Sequence, residues 1–308
     1  MDPIFHWFGG KRRAASLVWE RLGSVQRYIE PFTGSAAVLL ARSRPQGREV
    51  INDIDGFLVN FWRAVRDDAQ GVAKELEMPI SELDLIARKK RFTAAHAESL
   101  VAKLQEDPDY YDRTLAAWWY FGHCASVGNR WLRKHEIPTK FLPAMDSRGI
   151  ADRAEDLVAI QRRLVDVFIL CGDWRRTVDS DTVLFNGAKT VGIFFDPPYA
   201  SPREKHIYSE DDESVAIDVE TWCLEHGEDP RLRIVIAGYE GEHDALESAG
   251  WLTRPWIAQG GHGNRRQSGD NANRFRETLW CSPHCIGARQ SSLFEDLHEY
   301  SRVEEIAL

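Results

Sequence analysis

Asp196-Pro197-Pro198-Tyr199 brings a carboxylate, two proline rings and a phenol together just after an apolar run, Val191-Gly192-Ile193-Phe194-Phe195. Each proline fixes its own φ and lacks an N–H, and a residue before proline is driven to extended backbone, so the four residues form a stiff corner. Such a corner displays acceptors. The Asp196 carboxylate and the Pro197 carbonyl are both able to accept from one planar amino group, and the Tyr199 ring offers a stacking face beside them. The apolar run ahead of it reads as a parallel strand buried on both faces, so the chemistry sits at a strand's carboxyl end.

Other residues with chemical potential fall at similar places. His6-Trp7-Phe8-Gly9-Gly10-Lys11 precedes an amphipathic segment, residues 14–22, with Leu17, Val18 and Leu22 on one stripe. Its glycines allow close approach of backbone to a ligand, and Lys11 adds positive charge near a helix start, where anions bind well. Tyr28-Ile29-Glu30-Pro31-Phe32-Thr33-Gly34-Ser35 followed by Ala36-Ala37-Val38-Leu39-Leu40 reads as strand, tight turn and apolar helix, the first βα unit of a doubly wound sheet. Only Gly34 matches the glycine-rich dinucleotide pattern, which argues against a pyrophosphate cradle and a nicotinamide enzyme. A second strand, residues 49–52, ends at Asp53-Ile54-Asp55, where Asp53 is placed to accept from ribose hydroxyls and Asp55 is the alternative, a helix N-cap. A third, residues 167–171, ends in Gly172-Asp173-Trp174, and Asp173 has two readings, a ligand-facing acid or an Asx-turn closing the strand.

The elements that must hold these residues come from the whole chain. With 308 residues and 43% hydrophobic content, there is enough apolar surface for a large core, in one elaborated domain or two. Five cysteines without a disulfide framework suit a reducing cytoplasm; Cys281, His284 and Cys285 read as structural because no second pair completes a metal site. No apolar stretch has signal-peptide or membrane-spanning length, so the chain is expected in the cytoplasm. The net charge of −9 argues against indiscriminate coating of nucleic acid. Yet base is concentrated in residues 120–150 and 251–276, and acid elsewhere. Between residues 60 and 165 the βα rhythm gives way to helices, with Trp118 to Phe121 on a buried one, followed by Gly128-Asn129-Arg130-Trp131-Leu132-Arg133-Lys134. Arg and Asn bond base edges bidentately, and Arg and Lys neutralise phosphates. Residues 200–212 read as a lid loop, 231–237 as another strand, and 260–273 as a surface loop carrying Arg265 and Arg266.

The Asp-Pro-Pro-Tyr corner resembles the signature of S-adenosylmethionine-dependent amino-methyltransferases, in particular the Dam-like, D12 class of N6-adenine DNA methyltransferases. Trp7-x-Gly-Gly10-Lys11 resembles the element that opens these enzymes and holds the methionine end of the cofactor. Glu30-Pro31-Phe32-x-Gly34-Ser35 resembles the motif that lines the cofactor, Asp53 falls at the ribose-binding position, and Asp173-Trp174 resembles the pair that faces the cofactor adenine. Glu277-Thr278-Leu279-Trp280 resembles the last family strand. The resemblance implies an α/β, Rossmann-like seven-stranded methyltransferase fold with a helical target-recognition insertion. It places the catalytic domain at 1–59 and 166–285, the insertion at 60–165 and a C-terminal tail or docking helix at 286–308.

It further implies methyl transfer to the N6 amine of a flipped adenine in DNA, as in the modification half of restriction-modification systems. Asp196, Pro197, Pro198 and Tyr199 would be catalytic, with Asp196 also bordering the cofactor, and Asn129, Arg130, Arg133, Lys134, Arg265 and Arg266 would meet DNA. No metal is implied, and the setting the resemblance implies is bacterial or phage-encoded. The recognition segment has no close match to the family's loop, so the target site is not carried over. Two other readings stand beside this one, an amino-methyltransferase acting on RNA or protein glutamine, and a catalytically silent DNA-binding module. Gln290-Ser291-Ser292-Leu293-Phe294 resembles the peptide by which bacterial proteins dock on the sliding clamp through Gln290, Leu293 and Phe294. The same residues fit a capping box, Ser292 with Glu295, that starts a terminal helix packed through Leu293, Leu297 and Tyr300.

Overall fold

Segments of four to eight residues form seven strands: β1 Arg27–Glu30, β2 Arg48–Asp53, β3 Val167–Cys171, β4 Val191–Phe195, β5 Leu232–Tyr239, β6 Leu252–Trp256 and β7 Glu277–Cys281. They make one sheet in the order β3-β2-β1-β4-β5-β7-β6. The computed structural model describes residues 1, 3–5, 7, 10–42, 47–77, 82–125, 154–199, 210–256 and 277–288. The β2–β3, β1–β4 and β4–β5 pairs are parallel, whereas β7 runs antiparallel to both β5 and β6. The helices are α1 Ala15–Leu22, α2 Ala37–Ala41, α3 Gly56–Glu75, α4 Glu82–Lys89, α5 Ala94–Glu106, α6 Arg113–Ala125, α7 Ala154–Leu164, α8 Asp181–Leu184, α9 Glu210–His226 and α10 Asp244–Ser248, with a 3-10 turn at Trp174–Thr177. This is the expected mixed α/β architecture with a seven-stranded sheet.

The chain divides into two compact units, one of Met1–Arg12 with Pro31–Val183, the other of Arg13–Glu30 with Leu184–Leu308. In the first, α3 packs on β2 and β3 and against α5, α6 and α7. Its inward face carries Phe61 and Trp62, which meet Phe5, Trp119 and Tyr120 in an aromatic core; Phe61 stacks on Tyr120 at 5.3 Å and Phe5 meets Trp119 edge-on at 5.2 Å. Burying side chains of this size stabilises a fold by about 1.5–3 kcal/mol each. Arg63 is buried in the same helix, and no ion pair shorter than 4 Å holds it among the described residues. Its Nε donates to the Ile169 carbonyl at 3.0 Å and its Nη1 to the Asp107 carbonyl at 2.9 Å, so the cation is solvated by backbone. The expected boundary at residue 60 falls inside α3, and Trp119, Tyr120 and Phe121 are fully buried as a core helix requires.

In the second unit all five residues of β4 and all five of β7 are buried. Gly192 in β4 is needed because a Cβ there would lie 3.1 Å from Val25 and 3.4 Å from Leu22 at the end of α1. Edge strand β6 accommodates Pro255, which is exposed and lacks the N–H a central strand would demand. Residues 210–212, expected to belong to a lid loop, instead open α9; residues 200–209 lie outside the described residues. Beyond β7, the Cys285 thiol donates to the Ile234 carbonyl at 3.3 Å and is pushed up to about 11 by burial. Ile286 is tied back to α1 by its N–H to the Arg21 carbonyl at 2.8 Å. Among the described residues no helix is long and apolar enough to cross a membrane.

Candidate active site

The first unit gathers most of the expected cofactor residues around the end of β2. Thr33 donates to the Asn52 carbonyl through both its N–H and its hydroxyl, at 3.0 and 2.9 Å, and the Asn52 amide donates to the Pro31 and Gly172 carbonyls at 3.0 and 2.9 Å. The turn at 31–36 and the turn after β3 are thereby tied to one strand end. Asp53 follows. Its Oδ2 accepts from the Gly34 N–H and its Oδ1 from the Asp55 N–H, both at 3.0 Å. Burial outweighs these two bonds and pushes the carboxyl up to about 6. Asp55 is the N-cap of α3, accepting from Phe57 N at 2.9 Å and Leu58 N at 3.3 Å, so the alternative reading of that residue is the one the geometry selects. Ile54, between the two acids, is 74% exposed.

Gly34 is where the turn requires a glycine. Its φ is +48°, and a Cβ would lie 2.7 Å from the Trp7 indole, which covers it. Ala36 also has a positive φ, 53°, without glycine's freedom, and it opens α2. The Gly10 N–H donates to the Trp7 carbonyl at 3.1 Å, and a Cβ on Gly10 would stand 3.7 Å from Ser35 Oγ. The Trp7 to Lys11 element and the Gly34-Ser35 turn are therefore one packed unit, with Lys11 and Ser35 both buried. Half-buried Phe32 lies 6.3 Å from the buried Trp174 ring. Asp173 accepts from Arg175 N at 2.9 Å as the cap of the 3-10 turn, which is the strand-closing reading, and its side chain stays 56% exposed.

His123 belongs to none of the sequence motifs. It is 3% exposed, its ring stacks on Trp7 at 5.7 Å and tilts against Trp119 at 4.0 Å, and neither ring nitrogen has a hydrogen-bond partner among the described residues. Burial holds its pKa down at about 4, so the imidazole is neutral at ordinary pH.

The second unit carries the corner. β1 and β4 are parallel neighbours, with Ile29 opposite Ile193, so Glu30 and Asp196 emerge where the order of strands reverses, the position at which such sheets bind ligands. Glu30 is buried and accepts from the Tyr28 hydroxyl at 3.0 Å. Asp196 and Pro198 are half-buried, Pro197 and Tyr199 buried. The Tyr199 hydroxyl donates to Glu277 Oε2 at 2.9 Å, and its ring meets Tyr239 edge-on at 4.7 Å. Burial first, then the charges of Asp196 and Glu277, hold this phenol well above its ordinary range, so it stays a donor. Glu277 was expected only as part of a strand; no local sequence signal marks its bond to a residue so distant in the chain.

His6, Phe8 and Gly9 lie outside the described residues, as do Asn129, Arg130, Arg133, Lys134, Arg265, Arg266 and the Gln290 to Phe294 segment with its Leu293. Residues 7–219 match the family described as D12 class N6 adenine-specific DNA methyltransferase, a span holding every motif from Trp7 to Tyr199. The chain is also similar to the type II methyltransferase M.MjaIII of Methanocaldococcus jannaschii, 26% identical over 211 residues, which cover 65% of this chain and 69% of that protein. Two such matches accompany a strand-end acid, a glycine turn and an acceptor corner, and together they lead to one identification: the chain belongs to the D12 class of N6 adenine-specific DNA methyltransferases, enzymes that move a methyl group from a donor to adenine in DNA.

Proposed function

We propose that the methyl donor is S-adenosylmethionine, held by the first unit, and that the Asp196 to Tyr199 corner takes the target adenine. The donor supplies an electrophilic sulfonium methyl when bound. The observation that carries this reading is the Asp53 carboxylate, fixed by two backbone N–H groups at 3.0 Å, beside Ile54 at 74% exposure. An acceptor for ribose hydroxyls and an apolar face for a base then stand next to each other. Lys11, with the Trp7, Gly10, Gly34 and Ser35 backbone, suits a carboxylate, and Phe32, Asp173 and Trp174 suit an aminated ring. Pro31 completes the proposed cofactor set of this unit; Glu30 and Asp196, which the family resemblance also assigns to the cofactor, belong to the second unit, where Asp196 acts mainly on the target amine.

At the corner, Asp196 and the Pro197 carbonyl accept from the two N6 protons. That hydrogen bonding draws the amine lone pair out of conjugation with the ring and stabilises the positive charge N6 would gain as its bond to the methyl carbon replaces the donor's sulfur–carbon bond; the charge is then lost with one of the two N6 protons, which leaves along its hydrogen bond toward solvent. Pro198 stiffens the corner, and Tyr199 stacks on the base. A base inside a duplex must first be flipped, at a cost of a few kcal/mol. Arg130, Arg133, Lys134, Arg265 and Arg266 would supply phosphate contacts and, with Asn129, base-edge contacts. Clamp docking through Gln290, Leu293 and Phe294 rests on the sequence pattern alone, and a peptide of residues 287–298 offered to a sliding clamp tests it.

The experiment is incubation with methyl-labelled S-adenosylmethionine and, separately, DNA, RNA and protein extract, followed by digestion of the nucleic acids to nucleosides and of the protein to amino acids. Label in N6-methyladenine from DNA is expected; label in RNA or glutamine would move the substrate class. Binding of the same donor measured by calorimetry should fall in Asp53→Ala and Ile54→Ser, and unchanged affinity in both would remove this end of β2 from the site.

A further inference from the structure

We infer that Glu277 is a positioning residue for the methylation step, acting through the hydroxyl of Tyr199; the inference rests on the reading of the Asp196 to Tyr199 corner given above. Tyr199 is the last residue of a corner whose two prolines donate no backbone hydrogen bonds. Two contacts that hold its ring come from far along the chain. Glu277 opens β7, is 7% exposed, and accepts from the Tyr199 hydroxyl at 2.9 Å. The β5–β7 register sets Glu277 opposite Tyr239, whose ring meets Tyr199 edge-on at 4.7 Å. One cross-strand pair therefore holds Tyr199 at two points, the hydroxyl by a charged acceptor and the ring by an aromatic edge.

Two consequences follow for the reaction. Rotating the ring away would leave a buried carboxylate without its phenol donor, so the stacking face is locked in place before a base arrives. A phenol that donates to a carboxylate also has a more electron-rich ring, and a base stacked on it becomes cationic as N6 takes the methyl group. Glu277 does not touch the amine. Its effect reaches the reaction only through Tyr199.

The test is single-turnover methyl transfer at saturating donor and DNA for Glu277→Ala, Glu277→Gln, Tyr199→Phe and the Tyr199→Phe/Glu277→Ala double variant, with donor affinity and thermal midpoint for each. A charged hydrogen bond of this kind predicts a rate loss of about 10- to 100-fold in both Glu277→Ala and Tyr199→Phe. The double variant should be no slower than the worse single by more than about threefold, because both changes remove the same contact. Glu277→Gln, which keeps an acceptor oxygen, should recover part of the rate, and donor affinity should stay within about twofold throughout. Multiplying losses in the double variant, or a Glu277→Gln and Glu277→Ala pair that lower the midpoint while keeping the wild-type rate, would overturn the inference and leave Glu277 a structural residue. Tyr199→Ala separates the two levels: full activity there would overturn the corner reading itself, whereas a large loss there with independent Glu277 effects overturns this inference alone.

Discussion

The groups that the two units bring to the proposed chemistry are of opposite kinds. Around the end of β2 in the first unit, the organising groups are backbone: the Gly34 and Asp55 N–H groups on Asp53, Thr33 on the Asn52 carbonyl, and positive φ angles at Gly34 and Ala36. Around the end of β4 in the second unit, prolines have removed N–H donors, and the organising groups are carboxylates, with Asp196, Glu242 and Glu277 all acting on the Tyr199 phenol. A ligand bearing carboxylate and hydroxyls needs donors and one firm acceptor; an amine that becomes cationic needs acceptors. Each unit matches the charge of what it is proposed to hold.

That contrast is breakable at single residues. The largest effect is expected from Gly34→Ala, since the new Cβ would stand 2.7 Å from Trp7 and the residue keeps a left-handed backbone. About 2–4 kcal/mol of stability should be lost, with donor affinity, and thermal melting with calorimetry reads both. A stable variant of normal affinity would mean that Trp7 does not pack on the turn in solution.

His123 comes next. Its pKa falls from 6.5 to about 4 on folding, so the unfolded chain binds more protons between those values. The stability it contributes is present above pH 6.5 and is lost as pH falls toward 4, by up to about 3 kcal/mol. His123→Leu should lack that acid loss, and parallel pH-stability curves for the two proteins would contradict the burial.

Asp53 has the opposite sign. Raised from 3.8 to about 6, it favours the folded state most below pH 3.8 and loses that contribution as pH rises through 6. Donor binding, which uses the ionised acceptor, should strengthen over the same rise and be about tenfold weaker at pH 5 than at its plateau. Asp53→Asn should flatten the profile; a wild-type profile already flat between pH 5 and 7 would take the titration away from Asp53. The smallest effect is expected from the basic insertion, where replacing a phosphate-contacting Arg130, Arg133 or Lys134 should flatten the salt dependence of DNA binding by about one unit of slope. A shift in the methylated site would mark a base reader instead.

Local pattern made much of this legible. β3 and β4 have the limits their apolar runs indicate, and Asp53 and Asp55 divide into strand-end acid and helix cap as capping chemistry requires. β6 was hidden because Arg254 and Pro255 break the alternation of a strand, which an edge position tolerates and a central one does not. Glu277, Ile54 and His123 were hidden for another reason. Their significance lies in burial or exposure set by distant segments, and no spacing along the chain encodes it.

The central claim is the division of labour between the two units, and it is tested most directly by single-turnover methylation measured across donor concentration for Asp53→Ala and Asp196→Ala. A crossed result is predicted: Asp53→Ala raises the donor concentration needed for half-maximal rate and approaches the wild-type rate at saturation, while Asp196→Ala keeps the wild-type half-maximal concentration and loses about a thousandfold or more in rate at every concentration. If both variants shifted the half-maximal concentration alike, or if Asp196→Ala kept its rate, the corner would not be where the amine reacts.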